Sequence, residues 1–318
     1  MLDLLNQLSF SLSIVTPIFL IILLGYTFRR INWIDENFID IASKLIFRVG
    51  LPAMLFISIA TSEHDFTQAF DFIFFSVVLT VAFFIVCTLS TKLIFKHSAD
   101  HDVLIQGCFR ANTSIIGVAY VDNAFGSQGV ALAALYIAVI TVVYNIQAVI
   151  CLSPRKQGSQ SINITTLVTS LGKNPLIISI VLGLLVALFP ISLPNVMVDT
   201  GNYLAKMTLP LALVCTGGSL NLKMLRNNQG PTWFASSYKL IVAPLLFTFF
   251  ACYFGFRGVE LGVLFFMNAV PVAAASYAMV LASGGNTTLC ANIIGLTTLL
   301  SSLTVCLGTL ALSLLEII

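Results

Sequence analysis

Ten apolar runs of roughly 20 residues succeed one another along the chain, and a helix of that length spans the about 30 Å hydrocarbon core of a bilayer. The runs lie near 10–28, 38–60, 72–95, 103–125, 129–152, 174–190, 202–220, 232–255, 259–282 and 288–315. A backbone at that depth finds no water to bond, so each run is expected as a helix. Hydrophobic residues fill 58% of the 318 positions and charged residues 9%, a balance that excludes an ordinary soluble domain. The expected fold class is therefore an all-α polytopic membrane protein with ten transmembrane helices. The sixth and seventh runs are the weakest, being short and interrupted by polar or helix-breaking residues.

The loops are short, and the longest, LSPRKQGSQSINITTLVTSLGK from Leu152 to Lys173, is too polar to pack a domain of its own. Basic residues gather in alternate loops: Arg29 and Arg30, Lys92 and Lys96, Arg155 with Lys156 and Lys173, then Lys223 and Arg226. The opposite loops carry Glu63, Asp65, Asp71, Asp122 and Asp199, with Lys206 and Arg257 as exceptions. By the positive-inside rule the basic loops are cytoplasmic, so both termini are expected outside a prokaryotic inner membrane. The N-terminal run lacks a basic leader and a small-residue cleavage pattern, and is read as the first span. Seven cysteines scattered through apolar runs without CxxC spacing suggest inert thiols.

Two runs are interrupted near their middles by small and polar residues, at Gly107–Gly129 and Gly262–Gly285. Broken helices in corresponding positions of two halves mark the substrate site of many carriers. A shift of 156 brings Asn112 onto Asn268, Ser127 onto Ser283 and Gly129 onto Gly285, with Leu51-Pro52 two residues out of step with Leu209-Pro210. Five spans per half reverse the orientation of the second half. The expected organisation is thus residues 1–152 as one five-helix repeat, 153–173 as a cytoplasmic linker, and 174–318 as an inverted second repeat.

The runs LIFRVGLPAMLF (45–56), FRANTSIIGVAY (109–120) and MNAVPVAAASYAMVLASGG (267–285) together resemble the auxin efflux carrier family. That family includes bacterial permeases for malate or malonate and is distantly related to bile acid:sodium symporter-like proteins. The resemblance runs the whole chain. It implies that helices four and nine are broken and cross near the bilayer centre, and that a scaffold domain moves against a transport domain. One departure stands out: the first crossover lacks the usual proline, so only Gly117 loosens it, whereas the second keeps Pro271. Glycine costs about 1 kcal/mol in a helix interior and proline about 3, so the first break is expected to be shallower.

Helix ends meeting at the midplane present free N–H groups and favour a carboxylate. Arg110 adds a guanidinium whose planar fork fits such an anion, although it could instead snorkel to the cytoplasmic rim. Asn112 and Asn268 flank the breaks and can bind a substrate oxygen or a freed backbone group. Ser114, Ser276, Tyr277 and the break at Pro271 complete the candidate substrate-binding set. Asn145 joins it because the resemblance places a polar residue there; Gln147, two residues on, faces elsewhere. Thr216-Gly217-Gly218-Ser219 and the stripe Thr297, Thr298, Ser301, Ser302 read first as helix-packing surfaces.

An enzyme is disfavoured because His64, His97 and His101 fall in loops and no carboxylate pair lies within a span. A cation carrier would want buried acids, and only Asp122 comes near membrane depth, at the outer end of the fourth span. A channel is the remaining rival, since broken helices also build pores. The expected function is a secondary carrier of small organic anions working by alternating access, with no cofactor, Na+ or H+ as coupling ion, and no nucleic-acid partner. Its partners are the substrate, the lipid bilayer and, left open, a second copy of the chain.

Overall fold

The computed structural model describes residues 2–61, 69–96, 98–152, 175–189, 191–220 and 230–318, and among them the secondary structure is helical throughout apart from one isolated bridge. Helix α1 (Leu2–Arg30) is followed by a tight turn in which Trp33 N–H donates to the Phe28 carbonyl at 2.9 Å. Its last turn holds Arg29 and Arg30, which complement the negative end of the helix dipole. Asp35 caps the next helix by accepting from Phe38 N–H at 2.7 Å.

Helix α2 (Glu36–Ala60) widens to a π turn at Ile46–Gly50. The cause is Pro52, which has no N–H to donate and whose ring crowds the carbonyl four residues back. Helix α3 is Ala69–Ile94, α4 is the short His101–Phe109, and α5 runs from Thr113 to Leu152. Gly126 divides α5 with φ 59 and ψ −150, a backbone region open essentially to glycine alone. Then come α6 (Pro175–Leu188), α7 (Asn195–Gly218) and α8 (Gly230–Tyr253). Helix α8 repeats the α2 device, a π turn at Tyr238–Val242 ahead of Pro244. Helix α9 (Gly258–Ala269) is followed by α10 (Ala275–Ser283), which stops at Gly284 with φ 74. Helix α11 (Thr287–Leu314) starts where the Asn286 side chain accepts from Leu289 N–H.

Of these eleven helices six are long and apolar enough to cross a membrane: α1, α2, α3, α5, α8 and α11. The others are short or, in α7, carry polar residues such as Asp199, Asn202 and Lys206 in the first half. The expected fourth and ninth runs each fall on a helix, a break and a second helix. The whole 153–173 segment and the charges at 63, 65, 155, 156, 173, 223 and 226 lie outside the described residues, as do His64 and His97. His101, expected in a loop, is instead the first residue of α4.

Two groups of helices can be distinguished. Helix α1 lies along α7 with backbone touching backbone, since Gly25 faces the Val214 carbonyl and Gly217 faces that of Ile22. Helix α2 packs on α6 and α7 through Gly183, against Phe56 and Ile59, and through Gly201, against Ile57. Small residues permit such approach where lipid supplies no hydrophobic drive between helices. The remaining helices pack around Phe72, Phe109, Tyr120, Tyr136, Phe247 and Phe266, all buried, in a core that α1 joins through Ile14, Val15, Ile18 and Ile22. Phe74, Leu245 and Phe249 point outward from it, as lipid-facing residues do.

Candidate functional site

The interruption between α4 and α5 is complete. Phe109 is the last helical residue, Arg110 is extended at φ −72 and ψ 124, and Asn112 sits at φ −83 and ψ 61. A proline is therefore not needed here, and the expectation of a shallower first break is corrected. What takes its place is pairing with the second break. Asn112 N–H donates to the Pro271 carbonyl at 2.9 Å, and Ala111 and Val272 form an antiparallel bridge. Each segment satisfies backbone groups that the other's loss of helix has freed. Further support comes from Thr297 of α11, whose hydroxyl accepts from Val272 N–H at 3.2 Å, and from Gly117 N–H, which donates to the Asn112 carbonyl at 3.1 Å. Gly117 lies within the π turn that opens α5, five residues after Asn112.

Arg110 does not snorkel. It is 8% exposed, and its guanidinium donates to Asn145 Oδ1 at 3.2 Å and to the Tyr144 carbonyl at 3.4 Å, while Nε has no partner among the described residues. A buried guanidinium held by neutral acceptors keeps its positive charge uncompensated by protein. Asn145 thus enters the site through Arg110, and Gln147 turns away to donate to the Thr80 carbonyl of α3.

The two asparagines differ in their surroundings. Asn112 lies in the first break, half-buried, with no side-chain hydrogen bond among the described residues. Asn268 lies inside the last turn of α9, where its amide donates to the Leu264 carbonyl at 2.9 Å and to Tyr136 Oη at 3.2 Å. Pro271 and Ser276 are buried beside the crossing, and Ser276 Oγ has no partner among the described residues. Ser114 is half-buried, whereas Tyr277, one position past Ser276, is 41% exposed. The stripe on α11 is buried and its hydroxyls mostly bond their own helix one turn back, as packing residues do.

One residue of this region escaped the reading of the sequence. Lys239, in the π turn of α8, is fully buried and donates to the Asn268 carbonyl at 2.9 Å. The ammonium thus meets the carbonyl end of α9, where the helix dipole is negative. The signal was available, for a lone lysine in the middle of an apolar run is as costly as Arg110. π turns frequently occur at functional sites.

Comparison with known proteins follows the same line. The family model described as membrane transport protein matches residues 10–308. The chain is 23% identical to the uncharacterized transporter MJ1031 of Methanocaldococcus jannaschii over 277 residues, 82% of this chain and 86% of the relative. An uncharacterized transporter of Methanothermobacter thermautotrophicus is 21% identical over 92% of this chain and 95% of its own length. The uncharacterized transporter YfdV of Escherichia coli K12 is 25% identical over 84% of this chain and 86% of its own.

Proposed function

The chain belongs to the membrane transport protein family, and from that premise we propose that it carries small organic anions across the membrane by alternating access. It is a transporter and not an enzyme. The observation that carries the anion reading is Arg110, a buried guanidinium placed in the broken backbone itself, with one N–H unpaired among the described residues. Lys239 adds a second buried cation at the neighbouring break. A carboxylate entering between them gains from both basic side chains. Arg110 attracts it, Asn112, Ser114 and Ser276 orient it, and Asn145 holds Arg110 in place. Asn268 and Pro271 keep the two crossing segments joined, and Tyr277 lines the approach.

In this reading the helices make ten transmembrane segments in two inverted repeats, 1–152 and 174–318, joined by a cytoplasmic linker. The packing supports it: α1 lies on α7 and α2 on α6, a pair of contacts that exchange with one another if α1 corresponds to α6 and α2 to α7. The group of α1, α2, α6 and α7 is then the scaffold, and the helices carrying both breaks form the moving body. The basic ends of the spans face the cytoplasm and both termini lie outside.

The test is thermal unfolding of purified protein against mono- and dicarboxylates, amines and sugars, in sodium or potassium at two pH values. A ligand that binds only the folded protein raises the melting temperature by mass action. Selective stabilisation by carboxylates supports the reading, and its dependence on sodium or pH identifies the coupling ion. Stabilisation by amines alone overturns it.

A further inference from the structure

We infer that the polar cavity where α1, α2 and α7 meet binds the headgroup of an aminophospholipid, with a phosphodiester at one wall and a primary ammonium at the other. The cavity has a volume of about 770 Å³ and is lined by Tyr26, Arg29, Arg30, Asn32, Glu36 and Asp40, closed below by Gly218 and Ser219. That volume lies within the range of small-molecule clefts. None of the crossover residues lines it.

Its depth is set by the helices. Helix α1 reaches the cavity at the end of a 24-residue apolar stretch, Gln7–Arg30, so the cavity lies at the level of lipid headgroups. The adjoining turn presents Trp33, 75% exposed and stacked on Phe28 at 5.4 Å between ring centroids, in the manner of an interfacial anchor. The floor is rigid: Gly217 touches the Ile22 backbone, and a side chain on Gly218 would run into Ile34 and Ile39. The floor is therefore formed before any ligand arrives.

The charges select the ligand. Arg30 is fixed by its Nε–H donating to Tyr26 Oη at 2.8 Å, with the guanidinium carbon 5.1 Å from the ring centroid. Its terminal N–H groups have no protein partner among the described residues and suit a phosphate oxygen. Arg29 stands beside it, its Nη2 3.9 Å from a Glu36 oxygen, and Asp40 pairs with Lys44 on the outer side. Among the described lining residues two guanidiniums and two carboxylates stand opposed. A ligand that is only anionic meets repulsion from Glu36 and Asp40, and one that is only cationic meets it from the arginines. A zwitterion with separated phosphate and ammonium satisfies both walls. A primary ammonium also donates hydrogen bonds to the carboxylates, which a choline headgroup lacks the protons to do.

The experiment uses the full-length protein, purified and stripped of lipid in detergent. Phosphatidylethanolamine, phosphatidylcholine and phosphatidylglycerol of identical acyl chains are added in mixed micelles. Bound lipid is counted by native mass spectrometry and the melting temperature is followed. Phosphatidylethanolamine is expected to be retained at least tenfold more than the other two and to raise the melting temperature by several degrees. Arg30→Gln should reduce that retention at least fivefold. The double variant Glu36→Gln with Asp40→Asn should remove the preference over phosphatidylglycerol while leaving lipid bound. Equal retention of the three lipids, or an undiminished preference in both variants, overturns the assignment. Equal stabilisation by soluble glycerophosphoethanolamine would overturn the lipid as the source and leave a soluble phosphoamine as the ligand. Neither variant touches the crossover, so failure here is separable from failure of the carrier reading.

Discussion

The ammonium of Lys239 donates to the main-chain carbonyl of Asn268 at 2.9 Å, tying α8 to the carbonyl end of α9 at the point where the helix breaks. Both residues are almost wholly buried, and the Asn268 side chain reaches on to Tyr136 of α5. One cation thereby holds three helices at the edge of the crossing.

Replacing Lys239 by methionine separates charge from packing. The substitution removes a costly buried ammonium but leaves a buried carbonyl unpaired, two effects of opposite sign of about 1 to 3 kcal/mol or more each. The melting temperature in detergent is expected to shift by only a few degrees. Transport should fall at least tenfold if the proposed anion passes beside this amine. Lysine-independent transport, measured as substrate uptake into proteoliposomes, would contradict this.

Thr297 is the acceptor for a backbone N–H that the second break would otherwise orphan. Thr297→Val keeps the shape and deletes the acceptor, and a buried unsatisfied donor costs about 1 to 3 kcal/mol. Thr297→Ser should retain nearly wild-type stability. Equal melting temperatures for the two variants would show that Val272 N–H finds another partner.

The contact of α1 with α7 leaves no room for a side chain at Gly217, which faces the Ile22 carbonyl. Gly217→Val should abolish the folded, monodisperse fraction on size exclusion. At Gly126 the space is open and only the backbone angle objects, so Gly126→Ala should cost on the order of 1 to 3 kcal/mol and still fold. The reverse order of severity would refute the packing account.

The all-helical membrane fold was legible as runs of apolar residues, because a bilayer demands helices that satisfy their own backbone. The breaks were visible too, but their geometry was not. The proline argument made the first break shallow, whereas Asn112 N–H pairs with Pro271 across the molecule, a contact between residues far apart in sequence. Local propensity does not report such pairing. Asn112 and Asn268 likewise look equivalent at a shift of 156, yet one lies in its break and the other inside its helix. Lys239 was legible in principle as a lone lysine within an apolar run; the π turn that frames it follows from Pro244.

Removal of Pro271 tests the crossing directly. Pro271→Ala restores an N–H and allows α9 to extend toward α10, which would draw the 271 carbonyl away from Asn112. Transport is expected to drop severalfold with the protein still folded. Full activity would place the substrate elsewhere.

Counterflow in proteoliposomes addresses the central claim most directly. Vesicles containing the wild-type protein or Arg110→Gln are loaded with unlabelled mono- or dicarboxylates, amines or sugars, and entry of the matching labelled compound is followed. An organic-anion carrier accumulates at least one carboxylate and no amine, and Arg110→Gln, folded by melting curve, reduces that accumulation at least tenfold. Accumulation of amines or sugars without any carboxylate, or carboxylate counterflow unchanged in Arg110→Gln, would contradict it.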